Sequence, residues 1–91
     1  MADFEWDEEK NRLNQAKHRI SFEEATEVFN GDHVTIEDAD PYDELREKTF
    51  GLVRAVLVVC VAHTDRDGVI RIISARKATK SERDLYNAHL R

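Results

Sequence analysis

Eight consecutive apolar residues, Ala55 to Ala62, stand between Arg54 and His63. Such a run falls far short of the ~20 residues a membrane-crossing helix needs. It is rich in β-branched side chains and apolar at every position, so a strand built from it must be covered on both faces. A chain of 91 residues has material for one core. Ala55–His63 is therefore expected as the central strand of a single domain spanning 1–91.

The flanking segments fit around it. His33–Glu37 and Thr49–Val53 change to a period of two and read as strands, joined by a loop over Asp38–Glu44 around Pro41. Gly51 marks a bulge or a close backbone approach. Asp67-Gly68 is a hairpin signal, with Val69–Ala75 as the return strand. Phe4-Glu5-Trp6 can add a short edge strand. Asp7 caps a charged helix running to about His18, whose Leu13, Ala16 and Ile20 form a thin apolar stripe, so it belongs on the surface. Ser21-Phe22-Glu23-Glu24 is a capping box with Ile20 and Ala25 at the staple positions. It opens a helix that buries Phe22, Ala25, Val28 and Phe29 and ends at Gly31, where a positive φ is expected. Thr79-Lys80-Ser81-Glu82 is a second box, opening a helix through Leu85, Tyr86 and Leu90. The order predicts an α+β fold: a four-stranded antiparallel sheet, with two N-terminal helices and one C-terminal helix.

Charge is segregated. Residues 1–47 hold five Lys/Arg against fifteen Asp/Glu, whereas residues 48–91 hold nine against four. The net charge of −5 thus conceals a basic C-terminal half able to attract phosphate and an acidic half able either to repel nucleic acid or to dock a basic partner. The first residues are acidic where a secretory signal would be basic, and a lone Cys60 excludes an intramolecular disulfide framework. A cytoplasmic location without membrane attachment is expected. There is no Walker loop, dinucleotide fingerprint, G-x-S-x-G or H-E-x-x-H. His18, His33, His63 and His89 lack metal-ligand spacing, so no metal or cofactor is expected, and Cys60 reads as an inert core thiol.

The stretch from His63 to Arg76 carries the chemistry. Arg71 and Arg76 interrupt an apolar strand, where a guanidinium must reach solvent or a partner. Either is explained by pairing with a carboxylate, and Glu82 is the candidate for Arg76. Both together, with His63 across the hairpin and Tyr86 on the following helix, point to a phosphate site: arginine donates bidentately, histidine moves protons near neutral pH, and tyrosine orients a hydroxyl or stacks on a base. Register is open at this point. A two-residue turn puts His63 on the face of Ile72, Ser74 and Arg76, whereas a three-residue loop sets it opposite Arg71. On the first helix, Lys10, Asn14, Lys17 and His18 share one polar face, which a solvated helix also explains.

These residues resemble a known family. Phe4-x-Trp6-Asp7, Lys10, Asn14, Lys17-His18, Ser21 to Ala25, Val28-Phe29, Arg46, Gly51, His63-Thr64-x-Arg66, Arg71-Ile72-Ile73-Ser74-Ala75-Arg76-x-Ala78, Glu82-Arg83 and Tyr86 are similar to the BrnT family of type II toxins. The resemblance spans nearly the whole chain. It implies a RelE-like fold, a ribonuclease that arrests translation, and a BrnA-type antitoxin whose ribbon-helix-helix domain supplies any DNA binding. Carried over, the catalytic positions are His63, Arg71, Arg76 and Tyr86, with Lys17, His18 and Arg46 binding substrate. Arg19 stands where many members have Gly, a difference expected to matter only for an inter-helix turn. The chemistry expected is metal-independent attack by the RNA 2′-OH, giving a 2′,3′-cyclic phosphate. The alternative is a non-catalytic interaction subunit of a transcription-autoregulating complex.

Overall fold

The computed structural model describes residues 3–38 and 46–90. Five strands are found among them: β1 (Asp3–Glu5), β2 (Val34–Asp38), β3 (Arg46–Val53), β4 (Leu57–Arg66) and β5 (Val69–Lys77). The helices are α1 (Glu8–His18), α2 (Phe22–Ala25), continued by a 3₁₀ turn over Thr26–Phe29, and α3 (Lys80–His89). The sheet order β1-β5-β4-β3-β2 places β4 in the middle, as its apolar pattern requires. Of the loop expected around Pro41, everything beyond Asp38 lies outside the described residues. No helix among the described residues is long and apolar enough to cross a membrane.

The sheet is mixed and five-stranded, not four-stranded and antiparallel. β1 pairs parallel to β5, Asp3 to Glu5 lying beside Val69 to Arg71. Three residues suffice because Phe4 adds its ring to the core against Phe29, with centroids 5.5 Å apart. The strand runs Asp3–Glu5 and not Phe4–Trp6, since Trp6 turns its ring onto Phe22.

Three other expectations shift. β4 begins at Leu57 because Arg54 and Ala55 take left-handed φ of 56° and 62° in a tight turn closed by Val56 N–H to the Val53 carbonyl at 3.3 Å. Glu27 accepts the Arg54 N–H at 2.9 Å and Glu24 accepts the Arg54 Nε–H at 2.7 Å, so the carboxylate of the Ser21 box and the one three residues on hold this turn. The second helix breaks after one turn into 3₁₀, and Gly31 takes no positive φ; the left-handed helix cap falls instead on Arg19 at the end of α1, φ 59°. Gly51 is a close approach: a Cβ there would meet the Val28 carbonyl at 2.8 Å. The 3₁₀ turn therefore rests directly on β3.

The largest departure is in α1. Its buried residues are Asn11 and Asn14, while Leu13 is 59% exposed. β1 stops pairing at Arg71, which leaves the outer edge of β5 bare beyond that point. Asn14 fills it: its Nδ2 donates to the Ala75 and Ile20 carbonyls, each at 2.9 Å, and its Oδ1 accepts the Ala75 N–H at 3.2 Å. Asn11 in turn accepts the Phe22 N–H at 2.8 Å and donates to Glu23 at 2.7 Å. Two carboxamides thus do for α1 what an apolar stripe usually does. Asn14→Ala strands three buried backbone groups and should cost about 2–3 kcal/mol, whereas Leu13→Ala should cost less than about 0.5. Urea unfolding midpoints distinguish them; equal losses would mean that α1 is held by its apolar side chains.

Candidate active site

The faces of β5 decide which side chains can meet. The Asp67-Gly68 turn has two residues, both at positive φ (53° and 82°), so Arg66 pairs Val69 and His63 pairs Ile72. The register then slips: Ala62 pairs Ser74, and Ile73 is left over as a bulge. One extra residue reverses the alternation. Ile70, Ile72 and Ala75 join the core under α1 and α2, while Arg71, Ser74 and Arg76 share the opposite face with Cys60, Phe50 and Tyr86. Without the bulge the two arginines would point to opposite sides.

The same slip separates His63 from them. His63 lies with Val61 on the inner face and is 3% exposed. Its Nε2 meets the Thr49 Oγ1 at 2.7 Å, Thr49 meets Thr35 at 2.8 Å, and the Phe29 ring sits edge-on at 5.1 Å. Burial pushes the imidazole below its ordinary range, and nearby His33 adds to this against the opposing pull of Asp65. His63 is thus a core group. Tyr86 is also 3% exposed; it packs on Phe50 and Cys60 and donates its hydroxyl to the Asp32 carbonyl at 3.2 Å. Cys60 is buried, and desolvation raises its thiol pKa.

What the fold does bring together is Arg76 and the end of α1. Once Asn14 has docked on Ala75, the next turn of the helix lies beside the last residues of β5. Lys17, His18, Arg19, Arg76, Lys77 and Thr79 line an open cleft of about 510 Å³. Arg76 is held there by a bidentate pair to Glu82, Nη1 to Oε1 at 2.7 Å and Nη2 to Oε2 at 3.0 Å. The same Glu82 Oε1 accepts the Thr79 N–H at 2.8 Å, so the box that starts α3 also aims the arginine. The Glu82 partnership foreseen as the competing explanation of Arg76 is real, yet it leaves the side chain a third exposed, with Arg76 on the cleft wall.

Arg71 and Arg46 extend this surface. Arg71 lies five residues before Arg76 on β5, with its Nη1 3.7 Å from Glu5 Oε2. Arg46 and Lys48 are at alternate positions of β3, on the face of Phe50. Lys48, 3.7 Å from Asp38, was not foreseen, nor were Lys77 and Thr79. The only available signal for Lys48 was its two-residue spacing from Phe50.

A family model described as the ribonuclease toxin BrnT of type II toxin–antitoxin systems matches residues 6–82. The crystal structure of the Brucella abortus ribonuclease toxin BrnT is 23% identical and matches with a TM-score of 0.66, covering 88% of this chain and 100% of that one. The two share a fold. No curated protein matches this chain.

The Arg76 pair gives a measurable pH signature. Hydrogen bonds from Arg76 above all, and from the Thr79 N–H, lower the Glu82 carboxyl from 4.5 to about 2 against the opposing effect of burial. The folded state then resists protonation more than the unfolded one, so this stability is complete above pH 4.5 and is lost as pH falls from there through about 2. Over that window the wild type should lose more than Glu82→Gln, by about 1 kcal/mol for a pair that solvent still screens. Denaturant titrations at several acid pH values check this; parallel losses would mean that the pair contributes nothing.

Proposed function

The chain belongs to the BrnT family of ribonuclease toxins of type II toxin–antitoxin systems, and from that premise we propose that RNA is cut in the cleft where Lys17 and His18 face Arg76. The observation that carries this reading is the junction itself: a guanidinium, an ammonium and an imidazole line one open cavity, whereas His63 and Tyr86 are shut inside.

RNA brings its own nucleophile. In this reading the scissile phosphate sits on Arg76, whose donors meet the charge that builds on the phosphorane oxygens. His18 takes the proton of the 2′-OH, the O2′–P bond forms as P–O5′ breaks, and the same proton returns to the departing 5′-oxygen. Lys17 adds positive charge beside the phosphate. Products carry a 2′,3′-cyclic phosphate and a 5′-hydroxyl. Arg71 and Arg46, on the sheet face that continues from Arg76, bind flanking phosphates. His63 supports the sheet through Thr49, and Tyr86 anchors α3, so both act through structure. The arrangement is RelE-like in using an exposed cationic sheet face. A BrnA-type antitoxin with a ribbon-helix-helix domain is the partner that neutralises the toxin and carries its DNA binding. Residues 1–91 act as one toxin domain.

Expression of the chain alone should arrest growth. His18→Ala should slow RNA cleavage by about 10²–10⁴ and Arg76→Ala by about 10²–10³, with the cyclic phosphate detected on wild-type products and no loss of activity in a chelator. His18 is at a half-exposed helix end, so its variant should keep the wild-type fold by circular dichroism. Full activity in His18→Ala would overturn the assignment. A wild-type chain without effect on growth or RNA would favour an interaction subunit instead.

A further inference from the structure

We infer that Arg19 is a phosphate-contact residue of the same cleft, adding to the RNA affinity of this chain beyond what Lys17, His18 and Arg76 supply; the inference rests on the cleft being the RNA site. Three observations carry it.

Arg19 holds a left-handed backbone, φ 59° and ψ 30°, at the cap of α1. An L-residue other than Asn or Asp is strained in this region, which glycine enters freely. The cap needs only the backbone: the Arg19 N–H donates to the Gln15 carbonyl at 2.9 Å. Nothing local rewards the side chain, since among the described residues the Arg19 guanidinium makes no hydrogen bond or ion pair.

Arg19 nonetheless lines the cleft, together with Lys17, Arg76 and Lys77. Four cations border one cavity, and the single ion pair any of them makes among the described residues is Arg76 with Glu82. Four like charges gathered with a single counter-charge raise the energy of the free protein, and an entering anion lowers it. The protein as a whole is acidic, at −5, so this concentration is not a general surplus of positive charge. Finally, the two basic stretches arrive from different elements. Lys17 to Arg19 closes α1, and Arg76-Lys77 closes β5. A polyanionic strand passing between them touches both. The ligand chemistry is therefore a single-stranded RNA with one phosphodiester on Arg76 and its neighbour on Arg19.

The test pairs two readouts that move in opposite directions. Arg19→Gly removes the charge and relieves the backbone, and Arg19→Asn removes the charge while tolerating the left-handed conformation. The probe is a single-stranded RNA carrying a 2′-deoxy substitution at the scissile nucleotide, which binds but is not cut. For both variants Kd should rise about 5- to 10-fold at low salt, and the slope of log Kd against log salt should fall by about 0.7, the value of one lost contact on a single strand. Arg19→Gly should at the same time melt a few degrees higher than wild type. Arg19→Lys should recover most of the affinity. A variant that is more stable yet binds the probe with wild-type affinity and slope would reduce Arg19 to a turn residue and overturn the inference. Arg76→Ala, measured in parallel, separates the two readings: if it loses binding while Arg19→Gly does not, only the Arg19 assignment fails; if neither loses binding, the cleft is not the RNA site and both fail.

Discussion

One unpaired residue in β5 organises the cationic face of the sheet. Ile73 has no partner on β4, and the alternation of the strand reverses across it. Before the bulge Ile70 and Ile72 point inward; after it Ala75 does. The arginines, five positions apart, consequently emerge on one side, and His63, opposite Ile72, is committed to the other. Because strand side chains alternate with a period of two, no adjustment of side-chain rotamers can undo that choice. The bulge therefore determines which cations share a face, and it seats the His63 imidazole on the other one.

The edge of β5 depends on a second polar device. A sheet edge must be covered or it invites pairing with other chains. Here β1 covers its first three residues and Asn14 supplies, from a helix, the donor and acceptor that a neighbouring strand would have offered at Ala75. That contact seats the end of α1 beside Arg76. A helix held by carboxamides is bound in one position, because hydrogen bonds are directional where apolar contact is not. The cleft inherits this geometry from both of its walls.

Electrostatics then complete the site. Glu82 does two things with one carboxylate: it closes the capping box on the Thr79 N–H and it grips Arg76. An arginine tied at both terminal nitrogens loses little further freedom when it meets a phosphate, so the pair preorganises more than it neutralises. Glu82 carries one negative charge among four cations, leaving the cleft strongly positive inside an acidic protein. The acidic N-terminal half, far from obstructing nucleic acid everywhere, supplies carboxylates that fasten the Arg54 turn.

Much of this was legible beforehand. The central strand followed from eight apolar residues in a row, both capping boxes from their spacing, the hairpin from Asp67-Gly68, and the approach of backbone at Gly51 from a glycine within a strand. These are local facts, decided by side-chain volume, backbone freedom and hydrogen-bond reach within a few positions. What the amino-acid order left open was every relation that spans the chain: that β1 runs parallel to β5, that α1 buries its asparagines and exposes Leu13, that Ile73 bulges, and that Lys17 and Arg19 come to lie against Arg76 and Lys77. Each turns on which polar backbone group finds its partner once distant segments have packed. No pattern in one segment encodes that match, because the free edge of β5, and the need for Asn14 to satisfy it, exists only in the assembled sheet.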